Sequence, residues 1–312
     1  MLPQHRIMQE VKKAVQGKDR CLLWMLSAIV AGGHILLEDI PGVGKTTMAL
    51  AFSRALGLNY GRVQFTPDVL PSDITGYTLY NKETGKMTYQ PGAILCNLFL
   101  ADELNRATSR TQSALLEAME EGAVTVDGTR HHLPRPFTVI ATQNPTGAAG
   151  TQLLPDSQMD RFMIRMSVGY PNPEAEREMV LRRQKGNPLE QILQVLTRED
   201  VAQMQAEAAQ VYISPELVDY MIRLITATRT HPNILRGASP RATIAVTAMS
   251  RALAYLQRRD YVLPEDIQAV FPEVVDHRLL LPGDAAARGI QSKDLLAGIL
   301  RNVPAPKLTH GA

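Results

Sequence analysis

Apolar and polar positions along this 312-residue chain follow two regimes that change near residue 170. In the first, strand-like segments, several of them continuous apolar runs, alternate with stretches of helical period. "HILL" (34–37), "RVQF" (62–65), "LFLA" (98–101), "FTVIAT" (137–142) and "FMIRMSV" (162–168) have strand length. Continuous apolar strands set between helices predict a parallel sheet covered on both faces, since a strand buried on both sides has no polar face to alternate. "TTMALAFSRALG" predicts a helix stopping at Gly57. "TQSALLEAMEEG" predicts another, opened by a capping-box pair at Ser109 and Gln112, with Leu115 and Met119 on one face and Gly122 as terminator. "VTVDGTRHHL" alternates about Asp127-Gly128, a hairpin signal.

Beyond "GYPNPEAE" (169–176) no further strand pattern occurs. Helices are expected to open at Thr197, Ser214-Pro215 and Ser239-Pro240, each an N-cap residue, with proline at the first helical position in the last two. "PRATIAVTAMSRALAYLQ" (240–257) places Ile244, Ala248, Met249, Ala252, Leu253 and Leu256 at helical spacing. An α/β half is therefore followed by an all-α half, with the boundary near 170–175. The apolar stretch "CLLWMLSAIVAGGHILL" (21–37) is split by Gly32-Gly33-His34. Neither piece reaches the ~20 residues of a membrane span, so a buried helix feeding a buried strand is expected.

Composition adds modest limits. Hydrophobic residues make up 45% and charged residues 21%, the balance of a soluble globular chain. The formal charge of +2, from 33 basic and 31 acidic residues, argues neither for nor against nucleic acid, for which a concentrated basic face matters; only short pairs occur, at Lys12-Lys13, Arg182-Arg183 and Arg258-Arg259. Cys21 and Cys96 sit within apolar runs and point to a reducing compartment. "MLPQHRIMQEVKK" has no apolar signal core, so the expected location is cytoplasmic.

The candidate chemistry lies in loops at strand ends. "EDIPGVGKTT" (38–47) is a phosphate-binding loop in all but its first glycine, where Asp39 stands. Gly42 and Gly44 let the main chain curl so that its N–H groups face phosphate oxygens, and helix polarity from residue 45 favours the same charge. Lys45 can reach the β- and γ-phosphates, and the Thr46 hydroxyl can coordinate Mg²⁺. Aspartate tolerates left-handed geometry and can bond the main chain onward, provided its charge points away from the phosphates. Asp102-Glu103 ends an apolar strand, where ligands gather in open α/β sheets. Asp102 suits holding Mg²⁺ through water and Glu103 suits polarising an attacking water. Asn144 in "VIATQNP" can orient that water or be a polar turn; Arg161 in "LPDSQMDRF", taken alone, reads as a surface ion pair.

Together "EDIPGVGKTT", "LFLADELNRATSRTQSALLEAMEEG", "VIATQNP", "LLPDSQMDRF" and "SPRA" (239–242) resemble AAA+ ATPases, and closely the MoxR family. The resemblance spans nearly the whole chain from "AVQGKD" (14–19), and some members carry ED-x-PG-x-GKT. It implies a P-loop NTPase αβα core with a five-stranded parallel sheet over 1–172 and a smaller all-α lid over 173–312. It places Val15, Gln16 and Gly17 near adenine and Pro41, Gly42, Val43, Gly44, Lys45, Thr46 and Thr47 around the phosphates. Asp102 and Glu103 become Walker B and Asn144 sensor 1. Arg161 becomes the finger offered to a neighbouring subunit, with Arg106 as the other candidate. Arg241 resembles sensor 2, contacting the γ-phosphate in its own subunit. Residues 66–92 would be a helix-2 insertion and 124–133 a pre-sensor-1 hairpin. Adjacent strand residues His131 and His132 point to opposite faces, which argues against a metal pair.

The implied activity is Mg²⁺-ATP hydrolysis by a ring, expected to be a hexamer. Such a ring would act as a chaperone that matures partner proteins or inserts metal cofactors, often with a von Willebrand factor A (VWA) partner. Three other classes compete: a DNA-remodelling motor, a magnesium-chelatase-like ATPase subunit, and a nucleotide-gated binding module without turnover. Near-neutral charge opposes the first, and intact Glu103 and Asn144 oppose the last.

Overall fold

The structure, a computed structural model, describes residues 3–40, 42–144, 154–184 and 186–306. Helices α1 (Pro3–Ala14) and α2 (Asp19–Val30) precede strand β1 (Ile35–Glu38) and helix α3 (Lys45–Ala55). Next come β2 (Tyr60–Gln64), α4 (Pro71–Thr75), β3 (Gly76–Asn81), β4 (Lys86–Pro91) and β5 (Leu98–Asp102). Then follow α5 (Ser109–Glu121), β6 (Ala123–Val126), β7 (Thr129–His132), β8 (Thr138–Gln143), α6 (Asp156–Met159) and β9 (Ile164–Met166). The remaining helices are α7 (Pro173–Gln184), α8 (Arg198–Ala209), α9 (Pro215–Thr230), α10 (Pro240–Leu256), α11 (Pro264–Val275) and α12 (Ser292–Asn302). Among the described residues, only the single bridges Tyr212–Tyr261 and Arg236–Leu280 follow β9 as strand pairing.

Five strands form one parallel sheet in the order β2-β5-β8-β1-β9. From β1 the chain crosses to β2 at the far edge, steps back inward through β5 to β8 beside β1, and then crosses to β9 on the other side of β1. The order therefore reverses at β1, and the crevice beyond its carboxyl end is where ligands bind in such sheets. Period-two alternation divides the strands between two cores. Ile35, Leu37, Leu98, Leu100 and Ile140 join a cluster that runs into α1–α3 and the C-terminal helices. Leu36, Phe99, Ala101, Val139 and Ala141 face a second cluster with Leu115, Leu116 and Phe162.

The apolar stretch at 21–37 divides at Gly32, whose φ of 71° turns the chain from α2 into β1. A side chain at the adjacent Gly33 would collide with Met163, its Cβ coming within 2.4 Å of the Met163 sulfur. Among the described residues no helix is long and apolar enough to cross a membrane. The hairpin at Asp127-Gly128 forms, both residues having positive φ (47° and 77°) as a tight turn of this sequence demands. The segment 66–92 folds as α4 and the β3–β4 hairpin. The two hairpins brace each other: Tyr89 stacks on His131 with ring centroids 3.7 Å apart, and the Thr78 hydroxyl bonds the Asp127 carboxylate.

Two helices depart locally from expectation. The N-cap of α5 is Thr108, not Ser109: Thr108 is extended (φ −63°, ψ 153°) and its hydroxyl accepts the Thr111 N–H at 3.3 Å. Gln112 instead donates to the Leu104 carbonyl. In α10, Ile244 is 71% exposed, because Ala242, Ala245 and Val246 carry the inward stripe that continues through Met249, Ala252, Leu253 and Leu256. Ile244 and Ala248 form an i,i+4 row beside that stripe. Ser239 precedes α10, but its hydroxyl caps nothing and donates to Asp160 at 2.9 Å. Thr197 and Ser214 do cap α8 and α9.

Candidate active site

Strand β1 delivers the chain to Asp39, whose carboxylate faces away from the loop that follows. Its Oδ2 accepts the Gly169 N–H at 2.6 Å and the Ser167 hydroxyl at 2.9 Å, and Oδ1 accepts the Ile40 N–H. Burial raises this carboxyl's pKa, but the bonds from Gly169, Ser167 and Ile40 outweigh it and hold the group below its ordinary range. Gly42 and Gly44 have φ of 88° and 92°, left-handed values that side-chain-bearing residues avoid. A Cβ built on either glycine meets nothing within 4 Å, so backbone conformation, not crowding, requires glycine there. Gly44 caps α3, Lys45 to Thr47 form its first turn, and Val43 packs against the larger core. Pro41 lies outside the described residues.

The Lys45 side chain is buried, and its ammonium donates to the main-chain oxygens of Asp39 (2.6 Å) and Ile40 (3.3 Å). Burial pulls its pKa down, opposed by the carboxylates of Asp39, Asp102 and Glu103. Those acids are held by a relay from β8. The Glu103 N–H donates to the Thr142 hydroxyl (2.8 Å), which donates to Asp102 Oδ1 (2.7 Å); Arg62 holds Asp102 Oδ2 (2.8 Å). Glu103 is left-handed (φ 55°, ψ 46°), a strained conformation for glutamate, and its Oε2 pairs with Arg106 at 2.8 Å. Asn144 leaves β8 beside them, its carbonyl accepting from the Asn105 amide at 3.2 Å. The fold thus brings Gly42–Thr47, Asp102, Glu103 and Asn144 together beyond the ends of β1, β5 and β8.

Of the residues expected near adenine, Val15 is buried and Gln16 turns its amide back to the Lys12 carbonyl. Gly17 has φ 67° and touches α7 so closely that an added Cβ would lie 2.7 Å from that of Ala175. Beside this segment, a cavity of about 480 Å³ is lined by Ala14, Thr47, Met179, Val180, Pro188 and Leu189. A larger cavity of about 950 Å³ reaches Gly17 but none of residues 42–47, so size alone does not mark the site.

The arginines lie at the other edge. Arg161 and Arg241 donate to the two oxygens of one carboxylate, Glu120, at 2.9 and 2.6 Å. Glu120 neighbours Met119, whose carbonyl contacts His34 just before β1, whereas Lys45 follows the far end of that strand. Four residues of strand, about 13 Å at 3.3 Å per residue, separate those edges. Arg241 is therefore directed away from the phosphate loop of its own chain, against the expectation of a same-subunit contact. Arg278, buried in the turn that follows α11, grips the main chain around Arg161. It donates to Asp160 Oδ1 (2.7 Å) and to the carbonyls of Asp160 (3.1 Å), Phe162 (2.7 Å) and Met163 (3.1 Å). Sequence reasoning missed Glu120, Thr142, Arg62 and Arg278, each an ordinary residue within an element; only pairing across the fold singles them out.

This geometry has known counterparts. A profile described as "ATPase family associated with various cellular activities (AAA)" matches residues 34–164, and an AAA lid domain profile matches 226–299. The Bacillus subtilis protein YeaC is 42% identical over 96% of this chain and 94% of its own length. Chaperone MoxR1 of Mycobacterium tuberculosis is 39% identical over 97% of this chain and 82% of its own. The crystal structure of a candidate ATPase from Cytophaga hutchinsonii superposes with a TM-score of 0.90 at 38% identity, covering 98% of this chain and 95% of that one. Sheet order, glycine loop and paired strand-end acids define a P-loop ATPase of the AAA+ class. Within that class, the chain belongs to the MoxR family.

Proposed function

We propose that this ATPase is a MoxR-type chaperone that binds Mg²⁺-ATP along residues 42–47 and hydrolyses it between adjacent copies in a ring, with six as the expected number. The observation that carries this reading is the Lys45 ammonium, buried against the loop carbonyls yet within the field of Asp102 and Glu103. Residues 1–172 serve as the nucleotide-binding core and 173–312 as the lid. The open curve over Gly42 and Gly44 suits phosphate oxygens. The cavity beside Thr47, apolar on its Met179, Val180 and Leu189 walls, suits a purine base.

Magnesium fits the donor chemistry here. The Thr46 hydroxyl makes no side-chain hydrogen bond among the described residues, and the Asp102 carboxylate stands at the adjoining strand end. When bound, the ion offsets the charge of the phosphates. The chain's own groups do the rest. Lys45 exchanges its loop carbonyls for phosphate oxygens. Glu103, with Oε2 engaged by Arg106, keeps Oε1 to accept a hydrogen bond from the attacking water and draw off its proton. Asn144 orients that water from β8. Arg161 and Arg241, at the opposite edge from Lys45, serve the nucleotide of the neighbouring copy, which makes hydrolysis depend on assembly. The relative named Chaperone MoxR1 supports the chaperone assignment. A cytoplasmic location, a VWA-domain partner and metal-cofactor insertion complete the proposal.

Glu103→Gln tests it. The variant is expected to bind ATP and assemble normally while turnover falls about 10²–10⁴-fold, the range for losing a positioned base. Retained turnover would remove Glu103 from the mechanism. Affinity capture on the ATP-loaded variant is expected to retain a VWA-domain protein.

A further inference from the structure

Glu120 belongs to no phosphate-loop, metal or base-binding motif, yet among the described residues it is the side chain that both distal arginines touch. Arg241 reaches its Oε1 and Arg161 its Oε2. All three residues stand on fixed backbone. Glu120 lies in the last turn of α5, next to the buried Met119. The backbone of Arg161 is held on both sides by Arg278. Arg241 sits in the first turn of α10, where Ser239 bonds Asp160. Only the long arginine side chains have freedom left, and like charges side by side repel unless something lies between them.

The charges of this cluster do not cancel. Buried Arg278 is matched by Asp160. Among the described residues Arg161 and Arg241 pair with a single carboxylate between them, so the cluster keeps one surplus positive charge. It is half-open to solvent, with exposures of 28%, 43% and 41% for Arg161, Arg241 and Glu120. A site meant only to neutralise itself would supply a second acid. A site meant to receive a polyanion leaves that place open and presents its guanidinium forks together.

We propose that Glu120 is a positioning residue for hydrolysis: it holds Arg161 and Arg241 as a paired clamp for the triphosphate bound by a second copy of the chain. This rests on the assignment of both arginines to the neighbouring site made above. Glu120 makes no contact with the triphosphate; it sets the spacing and direction of two groups that do. Its loss lowers the rate of the chemical step and leaves a subunit's hold on its own ATP unchanged, since that hold comes from residues 42–47.

Single-turnover and steady-state ATPase rates of the full-length protein test this, with Glu120→Gln, Glu120→Ala, Arg161→Ala, Arg241→Ala and the combinations. Glu120→Ala is expected to lower kcat at least about tenfold with KM for ATP within about twofold, the pattern of an interaction made only in the transition state. Glu120→Gln, which keeps one acceptor oxygen, falls between Glu120→Ala and the parent. In the Arg161→Ala/Arg241→Ala background, Glu120→Ala has no further effect, because residues acting as a unit are not additive. Normal kcat in Glu120→Ala, or an undiminished loss in the double-arginine background, overturns the proposal. Should Glu120→Ala fail to fold, the isosteric Glu120→Gln decides by the same two criteria. Full turnover in Arg161→Ala defeats the neighbouring-site assignment and this proposal with it; an inactive Arg161→Ala beside a fully active Glu120→Ala defeats this proposal alone.

Discussion

The Asp39 carboxylate accepts the main-chain N–H of Gly169 at 2.6 Å, fastening the entrance of the phosphate loop to the exit of β9 across 130 residues of sequence. This explains how an acid stands where the loop pattern calls for glycine. Its charge is directed to Gly169, Ser167 and Ile40, away from Gly42 and Gly44.

Asp39→Ala removes those bonds and leaves the Gly169 N–H without its acceptor. Stability is expected to fall by about 1–3 kcal/mol, the usual result of stranding a buried donor, as read by urea unfolding. The carboxyl is held below its ordinary pKa, so its contribution is complete above pH 3.8 and is lost as pH falls through the lower folded value. An unchanged unfolding midpoint at neutral pH would count against the tether.

Thr142→Val preserves shape and deletes the hydroxyl linking the Glu103 N–H to Asp102. With its strained backbone no longer anchored, Glu103 shifts, and turnover is expected to drop on the order of 10²-fold. ATP binding, measured by equilibrium titration, should be preserved. A variant that turns over normally would show that the relay does not set the position of Glu103.

Arg278→Met replaces a buried fork with an apolar chain and strands Asp160 and the carbonyls of Phe162 and Met163. The expected cost is about 3–5 kcal/mol, as when one partner of a buried pair is removed. Arg278→Lys, which keeps the charge and loses the fork, should recover only part of it. Full recovery by lysine would assign the effect to charge alone.

Acid should destabilise the protein through His34, which is partly buried and held between the Val139 N–H and the Met119 carbonyl. Burial lowers its pKa from 6.5 to about 4, against the smaller upward pull of the Met119 bond. The unfolded chain then takes up a proton that the folded chain refuses. Stability is full above pH 6.5 and declines as pH falls toward 4. At about 1.4 kcal/mol per unit, the decline approaches about 3 kcal/mol. His34→Gln should flatten the pH dependence of unfolding across that interval, and an unaltered slope would refute the assignment.

Much of the fold is legible in the residues. Apolar runs mark the inner strands β1, β5 and β8 because both sheet faces are covered there, while the edge strands β2 and β9 carry polar residues; Asp127-Gly128 marks its hairpin because few other pairs tolerate two positive φ values. The strand-end acids and the glycine loop announce themselves by local spacing. The direction of Arg241 does not, since it depends on the meeting of the first turn of α10 with the last turn of α5, 121 residues apart in sequence. The inward face of α10 is hidden at Ile244 for a related reason: the small residues Ala242 and Ala245 permit close approach and turn the larger side chain outward. Glu120 is one acid among several in "EAMEEG", with nothing local to distinguish it.

The stack of Tyr89 on His131 has a mechanical implication. With Thr78 bonded to Asp127 as well, the β3–β4 and β6–β7 hairpins are joined at two points and behave as a single lever. The chain leaving His132 runs directly into β8, the strand that carries Thr142 and ends at Asn144. A pull applied to the tip at Tyr80 and Met87, both exposed, would pass across those two side-chain contacts and then along the chain after His132 to Thr142 and Asn144.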